Sequence, residues 1–270
     1  MPIVYNRHVT QSAFELELLD VAREAARASA AELEPRFGHH QQQIRSKSTP
    51  TDLVSEADLA AESAIRRVLA QRRPDDAILG EEGGATGEGK LRWVIDPLDG
   101  TINFLFGVPV YAVSVACEDG DGTLVGVVLD PVRDECFSAA RSGPAECNGS
   151  EIVASGRAEL AMALVATGFA YDAGVRERQA AALSRVLPRV RDIRRAGSAA
   201  IDLSWCACGR YDAYYERGVK PWDYGAGGLI AQRAGLELRH LDGNQEGPAG
   251  LLAAPPALVD ELLALVVGHS

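Results

Sequence analysis

The hydrophobic pattern changes character near the middle of the chain. At the start, Ser12 followed three residues later by Glu15 forms a capping box, in which each side chain satisfies the other residue's backbone amide. Phe14, Leu18, Val21, Ala22 and Ala25 then fall on one stripe at helical spacing, which predicts a helix to about Leu33. The polar stretch over 39–50 has no apolar period and predicts an exposed, mobile loop. Ser55 and Asp58 open a second predicted helix with Leu59, Ala60, Ile65, Val68 and Leu69 on its apolar side, ending before Pro74.

Short apolar runs rich in Val, Ile, Tyr and Trp come next, predicting strands over 77–79, 91–95, 111–118 and 124–129. Asp119-Gly120 and Asp121-Gly122 mark a hairpin turn between the last two. Strands that follow one another without helices imply an antiparallel or mixed sheet. After Gly149 the pattern becomes strand–helix alternation, with strands predicted over 163–167, 190–193 and 211–215 and helices over 175–187 and 198–208. Gly209 is placed to cap the second of these, and helices over 224–234 and 256–267 complete the chain. The expected fold class is α/β: an α+β half over 1–149 and an α/β half over 150–270, close enough to count as one unit.

Composition narrows the function classes. With 27 basic against 38 acidic residues, the net charge of −11 argues against nucleic acid or an anionic membrane as partner. No run approaches the roughly 20 apolar residues of a membrane span. No secretory signal is visible, and the five cysteines form no C-x-x-C, so a reduced, cytoplasmic protein is expected. The five histidines lie near the ends, in a polar tract or in a hydrophilic turn, outside any zinc-ligand or phosphoryl-acceptor motif. Any chemistry is therefore expected to rest on carboxylates.

Those carboxylates gather in a few places. The run Trp93-Val94-Ile95-Asp96-Pro97-Leu98-Asp99-Gly100-Thr101 predicts a strand that stops at Asp96, because Pro97 cannot donate to a ladder. Two carboxylates across one turn, followed by amides that open a helix or tight turn, offer hard oxygen ligands for Mg²⁺ beside an anion-accepting backbone. The same residues also suit an ordinary surface turn. Gly80-Glu81-Glu82-Gly83-Gly84 reads equally as a solvated turn, and Asp223, after Lys220-Pro221-Trp222, equally as a helix N-cap. Together, however, they set acidic residues at three strand ends, where ligand sites collect in α/β sheets.

Six ordered segments resemble the inositol monophosphatase family of metal-dependent sugar and polyol phosphatases. They are Thr51-Asp52-Leu53-Val54-Ser55-Glu56-Ala57-Asp58, Gly80-Glu81-Glu82, Asp96-Pro97-Leu98-Asp99-Gly100-Thr101-Ile102-Asn103-Phe104, Gly197-Ser198-Ala199-Ala200, Asp212-Ala213-Tyr214-Tyr215-Glu216 and Trp222-Asp223. The resemblance implies a layered αβαβα sandwich shared with fructose-1,6-bisphosphatase. It implies that Glu81, Asp96, Asp99, Asp223 and the Leu98 carbonyl bind two or three Mg²⁺ ions, with Mn²⁺ as an alternative. Glu81 and Thr101 would activate the attacking water, and Asp58 would hold Thr101. The amides of Gly100 and Thr101 would receive the phosphate, and Leu98, Asp99 and Asp223 would also take part in binding substrate. Gly197, Ser198, Ala199 and Glu216 would line the alcohol pocket, with Lys47 on a loop near the metals. Ile102 departs from the family by replacing a frequent second hydroxyl, which is expected to alter packing only.

A carboxylate at 216 favours a neutral polyol over a second phosphate. The expected substrate is myo-inositol monophosphate, with related polyol and sugar phosphates tolerated. Histidinol phosphate is the alternative, because its amino group also suits Glu216. Fructose-1,6-bisphosphatase or nucleotide 3′-phosphatase activity is less expected, although Arg194, Arg195, Arg217 and Lys220 keep a doubly anionic substrate open. A non-catalytic phosphate-ligand regulator is the reading from a different class. The resemblance further implies a lithium-sensitive homodimer.

Overall fold

The fold is taken from a computed structural model, which describes residues 12–38, 45–46, 53–54, 56–244 and 247–268. Lys47, Thr51, Asp52 and Ser55 lie outside the described residues.

Helix α1 (Ala13–Leu33) begins with the predicted box: Glu15 N donates to Ser12 Oγ at 3.1 Å and Ser12 N to Glu15 Oε2 at 3.2 Å. A two-residue ladder of β1 (Arg45–Ser46) and β2 (Leu53–Val54) precedes α2 (Glu56–Arg72). Then come β3 (Ala77–Gly80), β4 (Gly84–Thr86), β5 (Arg92–Asp99), the short α3 (Thr101–Leu105), β6 (Ala112–Asp119), β7 (Gly122–Asp130), β8 (Glu135–Ala140), β9 (Ala145–Cys147) and β10 (Ser150–Glu151). The second half runs β11 (Leu164–Thr167), α4 (Ala173–Val186), β12 (Asp192–Arg194), α5 (Ala199–Ala207), β13 (Ala213–Arg217), α6 (Pro221–Arg233), β14 (Glu237–Leu241), β15 (Gly250–Ala254) and α7 (Val259–Val267).

The first sheet has the order β10-β9-β8-β7-β6-β5-β3-β4, antiparallel except for the β3–β5 pair. The second has the order β12-β11-β13-β15-β14, parallel around β11 and antiparallel beyond β13. Helices α1 and α2 cover one face of the first sheet, where Leu18, Leu33, Ile65 and Leu69 meet Trp93, Ile95 and Val113. On the other face Val94, Val128 and Phe137 meet Ile201 of α5 and Ala226 and Ile230 of α6. The far sides of α5 and α6 pack on the second sheet through Leu203, Ala231, Tyr214 and Leu251. Val186 of α4 and Leu262 and Val266 of α7 close its outer face. The result is the expected αβαβα layering. Because both faces of β5 are covered, its sequence reads as a continuous apolar run rather than an alternation.

Several sequence expectations need correction. Strand β5 does not end at Asp96; its pairing with β6 slips between Asp96 and Asp99, and Pro97 sits in that irregularity, where no ladder donor is required. Phe14 is 45% exposed, under the Arg73 guanidinium, and Leu59 is 53% exposed. The buried stripe of α2 is instead Ala57, Ala61, Ile65 and Leu69, flanked by the buried carboxyls of Asp58 and Glu62. Helix α6 begins at Pro221, so Asp223 lies inside its first turn and Lys220 is the N-cap; α7 starts at Val259 rather than at 256. The glycines of α6 have a packing reason. A Cβ at Gly227 would lie 3.0 Å from Leu203 Cβ, and one at Gly126 of β7 would lie 2.8 Å from Ala226 Cα.

Candidate active site

Parallel pairing creates the acidic corner. In the β3–β5 register Gly80 lies opposite Ile95, so the next residues, Glu81 and Asp96, emerge side by side; Glu81 N donates to Ile95 O at 3.3 Å. Asp96 is also opposite Ser114 of β6, and Ser114 Oγ donates to the Trp222 carbonyl at 2.9 Å. That bond ties the start of α6, and with it Asp223, to the same corner. Asp223 Oδ2 accepts from Lys220 N at 2.6 Å, and Asp96 Oδ1 from Leu98 N at 3.0 Å.

Asp99 reaches the opposite wall. The Ser198 hydroxyl and the Ala200 amide, both at the N-terminus of α5, donate to Asp99 Oδ2 at 2.6 Å. Gly100 then turns the chain with φ of +100°, a conformation that costs other residues strain, and a Cβ there would stand 3.0 Å from the Val110 carbonyl. Thr101 Oγ1 lies 3.0 Å from Asp58 Oδ1 and 3.1 Å from the Leu98 carbonyl, with Asp58 fully buried behind it. Asn103 Nδ2 donates to the carbonyls of Val110 (2.7 Å) and Ala196 (2.9 Å), stitching this turn to the segment that holds Gly197.

These residues surround a cavity of about 330 Å³ whose lining includes Glu81, Asp96, Leu98, Asp99, Gly100, Thr101, Gly197, Ala199, Glu216 and Asp223. Ser198 departs from expectation: it is buried and caps α5 while holding Asp99, outside the cavity lining. Of the four basic residues noted in the sequence, Arg195, Arg217 and Lys220 reach the cavity, whereas Arg194 pairs with Asp192 at 2.6 Å. Arg217 is buried, its Nη1 donating to the carbonyls of Asp242 and Pro248.

Sequence reasoning misses the segment 168–171, which lines the same cavity. Thr167 pairs with Tyr215 in parallel register, so Gly168 lies beside Glu216, and a Cβ on Gly168 would fall 2.1 Å from Glu216 Oε2. A glycine directly after a predicted strand is the available signal. Ser114 and Asn103 also escape it as contributors; their roles depend on spatial neighbours that a linear reading does not supply.

Electrostatics single out the same corner. Burial raises Asp96 well above the usual carboxylate range, and Glu81, Asp99 and Asp223 push it further. Burial raises Asp99 to about 6 against the Ser198 and Ala200 hydrogen bonds, and raises Asp223 with help from Asp99. Glu216 is lifted to about 7 by burial, opposed by Tyr214, whose hydroxyl donates to Oε2 at 3.0 Å, and by the Arg195 charge. Anionic groups that resist ionisation together are poised for cations. An all-oxygen donor set fits Mg²⁺ or Mn²⁺ better than zinc. Among the described residues no three acidic, His or Cys side chains already stand in an ion-holding geometry.

Alternating layers with carboxylates near the ends of neighbouring parallel strands define an α/β protein of the layered-sandwich class with a candidate ligand site. Comparison with known proteins narrows the class. The profile of the inositol monophosphatase family matches residues 15–269, and the chain belongs to that family, one of phosphatases that are generally metal-dependent. Inositol-1-monophosphatase SuhB of Mycobacterium tuberculosis is 46% identical over 241 residues, covering 85% of this chain and 83% of the relative. A relative from Pseudomonas aeruginosa called Nus factor SuhB is 43% identical over 241 residues, covering 85% and 87%. Among solved structures, the extragenic suppressor protein suhB from Bartonella henselae superposes with a TM-score of 0.86 at 32% identity, covering 94% of this chain and 99% of that one.

Proposed function

We propose that the chain is a Mg²⁺-dependent phosphomonoesterase that hydrolyses myo-inositol monophosphate and related polyol phosphates. The convergence of Glu81, Asp96, Asp99 and Asp223 on the cavity that also receives Thr101 carries this reading. Two or three divalent ions, held by those carboxylates and the Leu98 carbonyl, would supply the Lewis acidity that activates water and stabilises the departing alkoxide.

The chain's own groups do the rest. The Thr101 hydroxyl has one proton and two acceptors in reach, Asp58 Oδ1 and the Leu98 carbonyl. Its proton is thereby drawn away from the cavity, and Oγ1 is left to accept a hydrogen bond from the attacking water. Glu81, across the corner, takes that water's other proton. The amides of Gly100 and Thr101 hold phosphoryl oxygens as charge develops on them. Glu216 and the glycine-lined wall at Gly168, Gly197 and Ala199 accept the hydroxyls of the alcohol.

The amino group of histidinol phosphate would also suit Glu216, so that ester competes with the polyol ester on charge grounds. Relatives named Nus factor have comparable identity, which keeps a regulatory role as the second reading. Homodimer assembly, a cytoplasmic location, lithium sensitivity and a division near residue 150 belong to the same reading. Phosphate release from a panel of esters, with Mg²⁺ and with chelator, tests it. Turnover of inositol monophosphate that chelator abolishes is expected. A tenfold preference for histidinol phosphate would overturn the substrate, and inertness toward every monoester would overturn the activity.

A further inference from the structure

Helix α2 presents two buried carboxyls one helical turn apart, Asp58 and Glu62, exposed to 0% and 3%. Asp58 reaches Thr101. Glu62 reaches the turn between β3 and β4: Oε2 accepts from Glu82 N and Oε1 from Gly83 N, both at 2.8 Å. Arg66, four residues on, donates from Nε to Glu62 Oε1 at 2.7 Å. Its other nitrogens continue to the Gly84 carbonyl and Thr86 Oγ1, each at 2.8 Å.

We infer that Glu62 is a positioning residue for the active site, clamping the turn that carries Glu81 while Asp58 clamps Thr101 from the same helix. This inference rests on the proposed metal-dependent reading. Three observations carry it. The backbone at Glu81 is held on one side by the hydrogen bond its N–H donates to the Ile95 carbonyl and on the other by the two following amides, which donate to Glu62. The glycines around it make room for the clamp: a Cβ on Gly80 or on Gly83 would lie 2.6 Å from Glu62 Oε1. Finally, a buried carboxylate is costly unless fully partnered, and this one has two amides and a guanidinium. The arrangement ties Glu81 and Thr101, residues far apart in sequence, to one rigid helix.

Groups that orient a ligand without touching the metal typically change metal affinity by about 10–100-fold when altered. Glu62→Gln keeps the shape but turns an NH₂ toward a donor. Gly83→Ala pushes on the same carboxylate from the turn. Mn²⁺ binding by calorimetry, at a temperature where each protein is folded by circular dichroism, should weaken at least tenfold for Glu62→Gln and in the same direction for Gly83→Ala. The Mg²⁺ concentration for half-maximal phosphate release should rise in parallel, while the ester KM at saturating Mg²⁺ stays level. Thr86→Val, which cuts only the outer bond of Arg66, should bind Mn²⁺ like the parent. A folded Glu62→Gln with affinity within twofold of the parent, whatever its melting temperature, overturns the clamp and leaves the metal reading standing. If Glu62→Gln does not fold, Gly83→Ala decides by the same criterion. A parent that binds no Mn²⁺ ends both.

Discussion

Replacing Asp99 with Asn makes the repulsion in the acidic corner measurable. Folding lifts the Asp99 carboxyl from 3.8 to about 6, chiefly through burial, against the Ser198 and Ala200 hydrogen bonds that favour its charged form. At roughly 1.36 kcal/mol per pH unit, that lift corresponds to about 3 kcal/mol. The sign follows from proton linkage. An acid whose pKa rises on folding binds its proton more tightly in the folded state, so the Asp99 contribution to metal-free stability is greatest below pH 4 and declines as pH climbs from 4 through 6. Asn has no such titration, and its carbonyl can still accept from the Ser198 hydroxyl and the Ala200 amide. It also relieves Asp96 and Asp223, both of which Asp99 pushes upward.

In chelator, the stability of Asp99→Asn relative to the parent should therefore grow by about 2.4 kcal/mol, in the variant's favour, between pH 4 and pH 7. Urea denaturation followed by the fluorescence of Trp93, Trp205 and Trp222 reads this directly. In Mg²⁺ the same variant should lose turnover, because a metal ligand is missing. A stability difference that is flat with pH, or that favours the parent at pH 7, would refute the electrostatic reasoning. Unchanged turnover would refute the assignment of Asp99.

Three further outcomes follow from neighbouring geometry. Because Glu216 is lifted to about 7, it loses charge as pH falls through neutrality; the KM for a polyol ester should rise between pH 8 and pH 6, and Glu216→Gln should flatten that rise in initial-rate kinetics. Gly168→Ala places a Cβ 2.1 Å from Glu216 Oε2 and should lower kcat/KM for the same ester at least about tenfold, with the urea midpoint nearly unmoved. Gly126→Ala meets the backbone of Ala226 at 2.8 Å and should cost about 1–3 kcal/mol in urea titration, without a change in substrate ranking.

What the sequence makes legible is what it encodes locally. The start of α1 is visible because Ser12 and Glu15 satisfy each other within one turn. The β6–β7 hairpin is visible because its two-residue connection, Gly120-Asp121, is a turn former. The expected end of β5 at Asp96 falls short because Pro97 is a local stop, whereas the register slip that accommodates it belongs to the pairing with β6. The hairpin of β14 and β15 gives no such signal, since Gly250-Leu251-Leu252-Ala253-Ala254 has no β-branched residue and no alternation. Its lack of polar positions comes from burial of the whole strand.

The candidate site divides along the same line. Residues that would touch metal or phosphate stand in short motifs with glycine and proline, so Glu81, Asp96, Asp99 and Asp223 are visible as carboxylates at corners of the fold, and the family resemblance rather than residue type alone marks them as ligands. Ser114 and Glu62, which help bring those motifs together, have no such surroundings, and Asn103, although it stands in the segment 96–104, acts through contacts that the segment does not reveal. Ser114 sits mid-strand, Asn103 lies in a helical turn, and Glu62 occupies a position that looks like an ordinary polar residue of α2. Each acts by bonding to backbone elsewhere: Ser114 to Trp222, Asn103 to Val110 and Ala196, Glu62 to Glu82 and Gly83. Backbone is a partner without sequence identity, so neither end of such a bond has a residue-type signature. Gathering four mutually repelling carboxylates at one cavity nevertheless requires these tethers, because without cations nothing in the carboxylates themselves favours their meeting. Loss of a tether should therefore loosen the site before it unfolds the protein.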